Sequence, residues 1–391
     1  MGYRRDSLSS KVIIIGAGPI GLALAVSLGR AGIVVDVIDK QTAPMPRQTQ
    51  DARVVVLNHA AQNLLEKLGI WSQLADVAGP IETMQLEVPG APSHGKFSAV
   101  DTTFATLGMT VFIQDISCAL VKACQEHPLV SLHWNTPAHD IVINKNEVTV
   151  NRQWDGACLI AADGAASVTR RLLGRTALSA PYSQSAHVAT IQTQMPHGKC
   201  AFQWFLSEGP LAFLPLKAPQ EISIVWTQSQ AAFVEHQALS DEAFLKALST
   251  ASDHQLGSVT HIGQRFGFPL KSQWLDAAVQ PRVAFVGDAW HSIHPLAGQG
   301  MNLGFQDVSA LSAELSRASK VGIDIGALTV LQRYQNARAA QNRQMQQLMS
   351  FINKMGAIQG GCMPLLSGAG FGILNHWSSL RRWLVAQAQG E

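Results

Sequence analysis

Three glycine-bearing strings carry the residues that could do chemistry. They are Gly16-Ala17-Gly18-Pro19-Ile20-Gly21, then Asp163-Gly164 with Ser167 and Arg170 behind it, then Gly287-Asp288 leading into Pro295-Leu296-Ala297-Gly298-Gln299-Gly300. In the first, the missing Cβ at Gly16, Gly18 and Gly21 allows a tight turn, close approach to a pyrophosphate and close helix–strand packing. The helix N-terminus behind it offers free N–H groups and partial positive charge to phosphates. Asp39 lies at the tip of the next strand, where its carboxylate can accept hydrogen bonds from a ribose diol. An acidic tip favours an unphosphorylated ribose, as in FAD or NAD. Alone this string is weak, because glycine-rich turns recur by chance. Asp163 ends a buried strand and can cap the following helix, while Arg170 reaches anions or neighbouring carboxylates. Asp288 can bond ribityl hydroxyls of a flavin. The helix opening at Gly298, Gly300, Met301 and Asn302 would turn backbone N–H groups toward the N1/C2=O edge of the ring, where negative charge collects on reduction. His291 and His294 stand three apart, but no third ligand with metal spacing accompanies them, so the expectation is hydrogen bonding or pocket lining and no metal.

The elements that must position these residues follow from hydrophobic patterning. Residues 11–15 are a β-branched run without alternation, hence a buried strand; residues 20–31 form a helix that Gly32 ends, and residues 33–38 a second strand. Further on, residues 60–68 and 118–125 read as helices, and residues 81–106 as strands and turns. Residues 130–134, 140–143 and 147–151 read as a meander, and 158–162 as a buried strand. Residues 186–268 are strand-like with a polar helix near 240–248; 282–286 is a buried strand and 301–316 a long helix. The fold expected is α/β: a Rossmann-like nucleotide-binding domain (11–80, 107–181 and 270–345) interleaved with a smaller β-sheet substrate domain (82–106 and 182–269), plus C-terminal helices (346–391). Ligands would lie between the two domains.

Composition excludes several function classes. The chain has 391 residues, 47% hydrophobic and 14% charged, with a net charge of +2, so neither a basic stripe nor a nucleic-acid partner is indicated. Five cysteines, an odd number without a C-x-x-C pair, fit a reducing compartment and argue against a zinc site. The start Met1-Gly2-Tyr3-Arg4-Arg5 is not read as a signal peptide, because the apolar run at residues 12–15 is short and ends in the glycine turn. No stretch approaches the roughly 18 apolar residues of a membrane span, so a cytoplasmic chain is expected. Residues 372–387 place Ile373, Trp377, Leu380 and Leu384 on one helical face beside Arg381 and Arg382. The pattern suits a helix lying peripherally on the inner face of a membrane, or equally one packed on the core.

The string from Gly287 to Asp307, with its Ala-Gly-Gln-Gly-Met-Asn-Leu-Gly core, resembles the signature of the ubiquinone-biosynthesis hydroxylases, a subgroup of the class A FAD-dependent aromatic hydroxylases. The likeness runs from about residue 11 to the C-terminus; the two earlier motifs mark only the wider superfamily. It implies a para-hydroxybenzoate-hydroxylase-like fold. It also implies that Gly16, Gly18, Gly21 and Asp39 hold the ADP moiety and that Arg53 contacts the flavin. Asp163 would serve FAD and reductant binding, Asp288 would grip the ribityl chain, and Pro295 and Gly298 would line the flavin face where oxygen reacts. Two positions depart from the family pattern. Trp290 replaces a small residue, with the expectation of a reshaped pocket, and Gln114-Asp115-Ile116-Ser117 replaces Asn-Arg-x-x-Gln, leaving Gln114 to contact the flavin from another angle.

The resemblance further implies a cycle. NAD(P)H or another electron donor reduces FAD, molecular oxygen adds to form a C4a-hydroperoxyflavin, and an electrophilic hydroxyl passes to the ring of a polyprenylated phenol. The protein's share is orientation and exclusion of water. His294 and His187 are the candidates for a general base. No second Gly-x-Gly-x-x-Gly is present, so a separate nicotinamide domain is not expected. The implied partners are the substrate, a membrane surface and other quinone-biosynthesis proteins. Alternatives are a hydroxylase of a soluble aromatic, a prenyl reductase, or a non-catalytic flavin-binding scaffold; the Trp-x-Trp-x-Ile-Pro of flavin halogenases is missing.

Overall fold

The computed structural model describes residues 11–46, 52–91, 94–292 and 299–357. The run Lys11–Ile15 has no polar face to show to water, and it becomes a central strand of a six-stranded sheet. The order across that sheet is Val279–Gln280, Val283–Phe285, Cys158–Ala161, Lys11–Ile15, Val34–Ile38 and Val130–His133, parallel except for the first pair. Helices Pro19–Arg30, Ile113–Gln125 and Gln299–Lys320 and a meander of Ile141–Ile143, Val148–Val150 and Trp154–Gly156 share its buried core.

Val130–His133, read from sequence as the first strand of the meander, instead pairs in parallel with Val34–Ile38. As an edge strand it is half exposed and alternates, which mimics an antiparallel strand. It is fixed there by buried Asp36, whose carboxylate accepts from His133 Nε2 at 2.9 Å and Lys11 Nζ at 2.6 Å.

The second large sheet has nine strands and gathers chain from three regions: Thr83–Glu87 and Gly95–Ser98, then strands between Leu178 and Trp274, then His291–Ser292. Its alternation divides its residues cleanly. Phe202, Trp204, Phe213, Ile224 and Trp226 point to one face and pack with Phe244 and Leu248 of helix Asp241–Ala251, which Ser240 caps through Ala243 N. A second helix on this sheet, Gln230–Ala238, was not legible in sequence: none of its side chains is fully buried, so no apolar stripe announces it. The other face meets the small sheet Val54–Leu57, Gly108–Phe112 and Gly79–Ile81, with Val56 and Ile81 against Ala201 and Leu214.

Candidate cofactor and substrate site

The first and third glycine strings meet at one side chain, Ile20. Gly16 leaves the first strand at φ +111°, where an added Cβ would lie 2.4 Å from the Ala162 carbonyl oxygen; at Gly21 it would lie 2.0 Å from Gly16 O. Both glycines therefore serve packing of helix Pro19–Arg30 on the sheet. Ile20 on that helix touches the third string: a Cβ at Gly304 would meet its Cδ1 at 2.7 Å, and one at Gly287 its Cγ1 at 3.5 Å. Gly304 was not singled out from sequence, yet it lets helix Gln299–Lys320 approach the dinucleotide-type helix.

Gly18 behaves differently. It is the N-cap of helix Pro19–Arg30, with ordinary φ −73°, no side-chain cap and no acidic residue in the first turn. A Cβ there would meet nothing within 4 Å, and the same holds at Gly164. Open space thus lies in front of the first-turn N–H groups, as an incoming phosphate needs. Asp39 borders it; its Oδ2 accepts from Ala17 N at 2.6 Å and its Oδ1 from Gln41 N at 2.7 Å. The carboxylate braces the glycine loop, and its remaining lone pairs are available to a diol.

Asp163 caps helix Val168–Leu172, Oδ2 accepting from Thr169 N and Oγ1 at 2.9 Å each, together with Ser167 Oγ, which accepts from Arg170 N at 3.0 Å. Its other oxygen, Oδ1, is buried without a partner. Such an atom calls for a donor from a ligand or water. Arg170, expected to reach anions or carboxylates, donates instead to the carbonyls of Ala289 at 2.8 Å, Asp288 at 3.2 Å and Ala165, and to Gln273 Oε1 at 2.9 Å. It staples the second string to the third. Burial pushes its pKa down against the pull of Asp163 and Asp288.

Asp288 sits on the one-turn helix Gly287–Ala289 with its side chain open to solvent. Dense surroundings raise its carboxyl above the ordinary value against His291 and Arg170. Its carboxylate is thus crowded by protein yet accessible to solvent. Together with the orphaned Asp163 oxygen and the spaces at Gly18 and Gly164, it gives this region donors, acceptors and room that fit an FAD.

Beneath Asp288 lies a network that sequence reasoning missed. Asp307, wholly buried, accepts from His291 Nε2 at 2.6 Å, Arg338 Nε at 2.9 Å, Gly287 N at 3.1 Å and Asn342 Nδ2 at 3.4 Å. Burial pushes its carboxyl up, but the charges and hydrogen bonds of His291 and Arg338 pull harder and leave it below the usual value. The readable signal was polar residues inside apolar stripes: Asp307 between Leu303 and Leu311, and Arg338 and Asn342 in step with Tyr334. His291 thus bonds a buried carboxylate.

Other expected residues fall in several places. Asn302 is buried, its amide donating to Val56 O at 2.8 Å and accepting from Asn58 N at 3.1 Å. Gly300 and Met301 lie in the first turn of the same helix. Gln114 opens helix Ile113–Gln125 and donates to Met45 O. Arg53 is exposed, its guanidinium 6.0 Å from the centroid of Phe268 on the large sheet. His294, Pro295 and Gly298 lie outside the described residues, as do residues 372–387.

Two expectations are corrected. His187 is no base facing the cleft: it is fully buried on the far side of the sheet, stacked on Phe233 at 4.2 Å, and burial brings its pKa down to about 4. Trp290 does not reshape a pocket. It turns into the core beside Trp274 and Tyr334 and donates its indole N–H to Leu275 O at 3.3 Å.

The cleft-facing side of the large sheet is uncharged. Register aligns Leu86, Gln203, Ala212, Val225, Val188 and Phe266 in one cross-strand row. The next row carries Phe205, Pro210, Thr227, Ala186 and Phe268. Half-buried Phe205, Ala212, Val225, Phe266 and Phe268 give an apolar wall on the face that meets the small sheet, Val225 packing in the cluster of Val56 and Phe268 lying under the Arg53 guanidinium.

A family model described as FAD binding domain matches residues 9–348. The chain is 33% identical over 355 residues to the 3-demethoxyubiquinol 3-hydroxylase of Escherichia coli (strain K12), covering 88% of this chain and 89% of that protein. It is 29% identical over 386 residues to the ubiquinone hydroxylase UbiL of Rhodospirillum rubrum, covering 97% and 89%. Among solved structures, p-nitrophenol 4-monooxygenase PnpA from Pseudomonas putida DLL-E4 aligns with a TM-score of 0.80 at 18% identity over 97% of this chain and 98% of that one. PqsL from Pseudomonas aeruginosa, a probable FAD-dependent monooxygenase, aligns at 0.77 and 20% identity over 94% and 99%. At those identities the structural likeness establishes the fold, which is the α/β class expected from sequence.

Proposed function

The chain belongs to the FAD binding domain family, and on that premise we propose that it is an FAD-dependent monooxygenase hydroxylating the aromatic ring of a polyprenylated phenol on the route to ubiquinone. The observation that carries the substrate class is the uncharged wall formed by Phe205, Ala212, Val225, Phe266 and Phe268. A neutral phenol with a hydrocarbon tail loses nothing against it, whereas a benzoate would have to desolvate its carboxylate on an apolar surface whose nearby cation, the Arg53 guanidinium over Phe268, is itself exposed to water. The similarity over most of the chain to proteins named as ubiquinone hydroxylases supports the same choice.

In this reading residues 11–80, 107–181 and 270–345 form the FAD-binding domain and residues 82–106 and 182–269 the substrate domain. The N–H groups behind Gly16, Gly18 and Gly21 hold the pyrophosphate, and Asp39 holds the adenosine ribose while bracing Ala17 N. Asp163 Oδ1 and Asp288 accept from hydroxyls of the cofactor chain. With FAD bound, the first turn containing Gly300, Met301 and Asn302 would offer its N–H groups to the flavin, Arg53 and Gln114 would contact it, and Pro295, Gly298 and His294 would serve the face where oxygen reacts. FAD, when bound, supplies electron acceptance from NAD(P)H or another donor and activation of molecular oxygen. The chain's own work is to orient the ring against the wall, exclude water and direct a helix N-terminus at charge that develops on the cofactor.

Among the described residues no helix is long and apolar enough to cross a membrane. The apolar face and paired arginines of residues 372–387 support peripheral contact with the inner face of a membrane, where a polyprenylated substrate and other quinone-biosynthesis proteins reside. The reading is tested by mass spectrometry of lipids from cells lacking the gene. It predicts accumulation of a prenylated ring compound short of one hydroxyl, with ubiquinone depleted. Unchanged quinones in cells without a redundant hydroxylase would contradict it.

A further inference from the structure

Gln203 is the amide in an otherwise apolar row. Its neighbours across the strands are Leu86 and Ala212, and its same-face neighbours along the strand are Ala201 and Phe205. None of these side chains offers a hydrogen bond. The residue is only 8% exposed, and among the described residues no hydrogen bond of its carboxamide is found. A carboxamide has two donor hydrogens and an acceptor oxygen, and neither polar atom of Gln203 is among the wholly buried unpartnered ones, so its residual 8% exposure leaves the amide accessible. Within the sheet's plane there is nothing to meet it, so its partner, water or a ligand, comes from off the sheet.

Off the sheet is the cleft. Ala201, on the same face, packs with Val56 of the cofactor-binding part, and Arg53, three residues before Val56, lies over Phe268 one row beyond Gln203. The Gln203 row therefore runs between two rows that the opposing strand already touches. The far face cannot compete for the amide, since Phe202 and Trp204 on either side of it occupy that face.

We infer that Gln203 binds substrate, its carboxamide pairing with an oxygen substituent on the aromatic ring and so fixing the ring's rotation in the cleft. A phenolic hydroxyl can donate to Oε1 or accept from Nε2, and an ether oxygen can accept from Nε2; a carboxylate is not required. The surrounding apolar wall makes this bond the orienting contact: without it a flat ring can turn against Ala212 and Val225 at little cost. The inference rests on the hydroxylase reading above, and it adds the residue that tells an oxygenated ring from a bare one.

The test uses purified holoprotein and two probes with the same tail, ortho-prenylphenol and prenylbenzene, titrated while following the flavin absorption spectrum. The wild type is expected to bind the phenol about tenfold more tightly, the worth of one such hydrogen bond. Gln203→Met keeps the shape and removes the bond; Gln203→Leu repeats the removal with a different side chain. Both are expected to retain FAD and bind the two probes within about twofold of each other. Variants that still prefer the phenol about tenfold, or a wild type that binds both probes alike, would overturn the inference. A wild type that binds neither would instead overturn the hydroxylase reading itself.

Discussion

Gly18 and Gly21 lie in the same motif three residues apart, but the structure assigns them opposite consequences when a side chain is added. At Gly21 an added Cβ would fall 2.0 Å from Gly16 O, against an ordinary contact beyond about 3.4 Å, so the helix must lift by more than an ångström. That helix buries Leu22, Leu24, Val26 and Leu28. Overpacking of this kind costs about 1–3 kcal/mol or more, and Gly21→Ala should lower the thermal midpoint of the apoprotein. At Gly18 the backbone is ordinary and the Cβ meets nothing within 4 Å, so Gly18→Val should cost the apoprotein only the about 1 kcal/mol of a poorer N-cap residue, less than the overpacking at Gly21. Its side chain would fill the space before the helix N-terminus, and losing one charge-assisted phosphate bond of about 1.5–3 kcal/mol weakens FAD by roughly 10- to 100-fold. Calorimetry of apoprotein and fluorescence titration with FAD separate the two effects. A Gly18→Val protein that binds FAD like the wild type would refute the placement of the pyrophosphate.

Other consequences follow from buried charge. Asp307→Asn leaves Arg338 and His291 buried without their carboxylate and should cost about 3–5 kcal/mol in urea unfolding; a loss under about 1 kcal/mol would show that the network is not a charged clamp. Because the folded Asp307 carboxyl lies below its ordinary value, its stabilisation is present above about pH 4 and lost as pH falls through the folded value. Wild-type unfolding in acid should therefore show a slope that Asp307→Asn lacks. His187 carries a second acid-side slope: with its pKa down from 6.5 to about 4, stability falls by roughly 3 kcal/mol between those values. His187→Leu should flatten that interval, and an unchanged profile would contradict a neutral buried imidazole. Ending the chain after residue 371 should move the protein from membrane pellet to supernatant, and unchanged partitioning would rule out peripheral attachment by residues 372–387.

What was legible in the sequence was local. The Gly16–Gly21 turn, its flanking strand and helix and Asp39 lie within one βαβ unit, and the bond of Asp39 to Ala17 N and the contact of Gly21 with Gly16 are made inside it. The helix cap by Asp163 was readable for the same reason. What was not legible depends on long-range placement. Asp307 meets His291 and Arg338 only once three elements have packed, and Val130–His133 joins the parallel sheet because Asp36 draws in its histidine. The outward turn of Gln203 is a matter of register: a one-residue slip would send it behind the sheet with Phe202 and Trp204. Trp290 was misjudged because its sequence neighbours are motif residues, while its packing partners Trp274 and Tyr334 are distant in the chain.

The most direct test of the central claim is oxygen transfer itself. Purified holoprotein, a nicotinamide reductant and ortho-prenylphenol would be incubated under isotopically labelled dioxygen and the lipid extract analysed by mass spectrometry. A ring-hydroxylated product carrying one labelled oxygen is expected, with formation reduced in Gly18→Val. Unaltered phenol, with the flavin reoxidised and all the dioxygen consumed appearing as hydrogen peroxide, would contradict oxygen transfer to the ring.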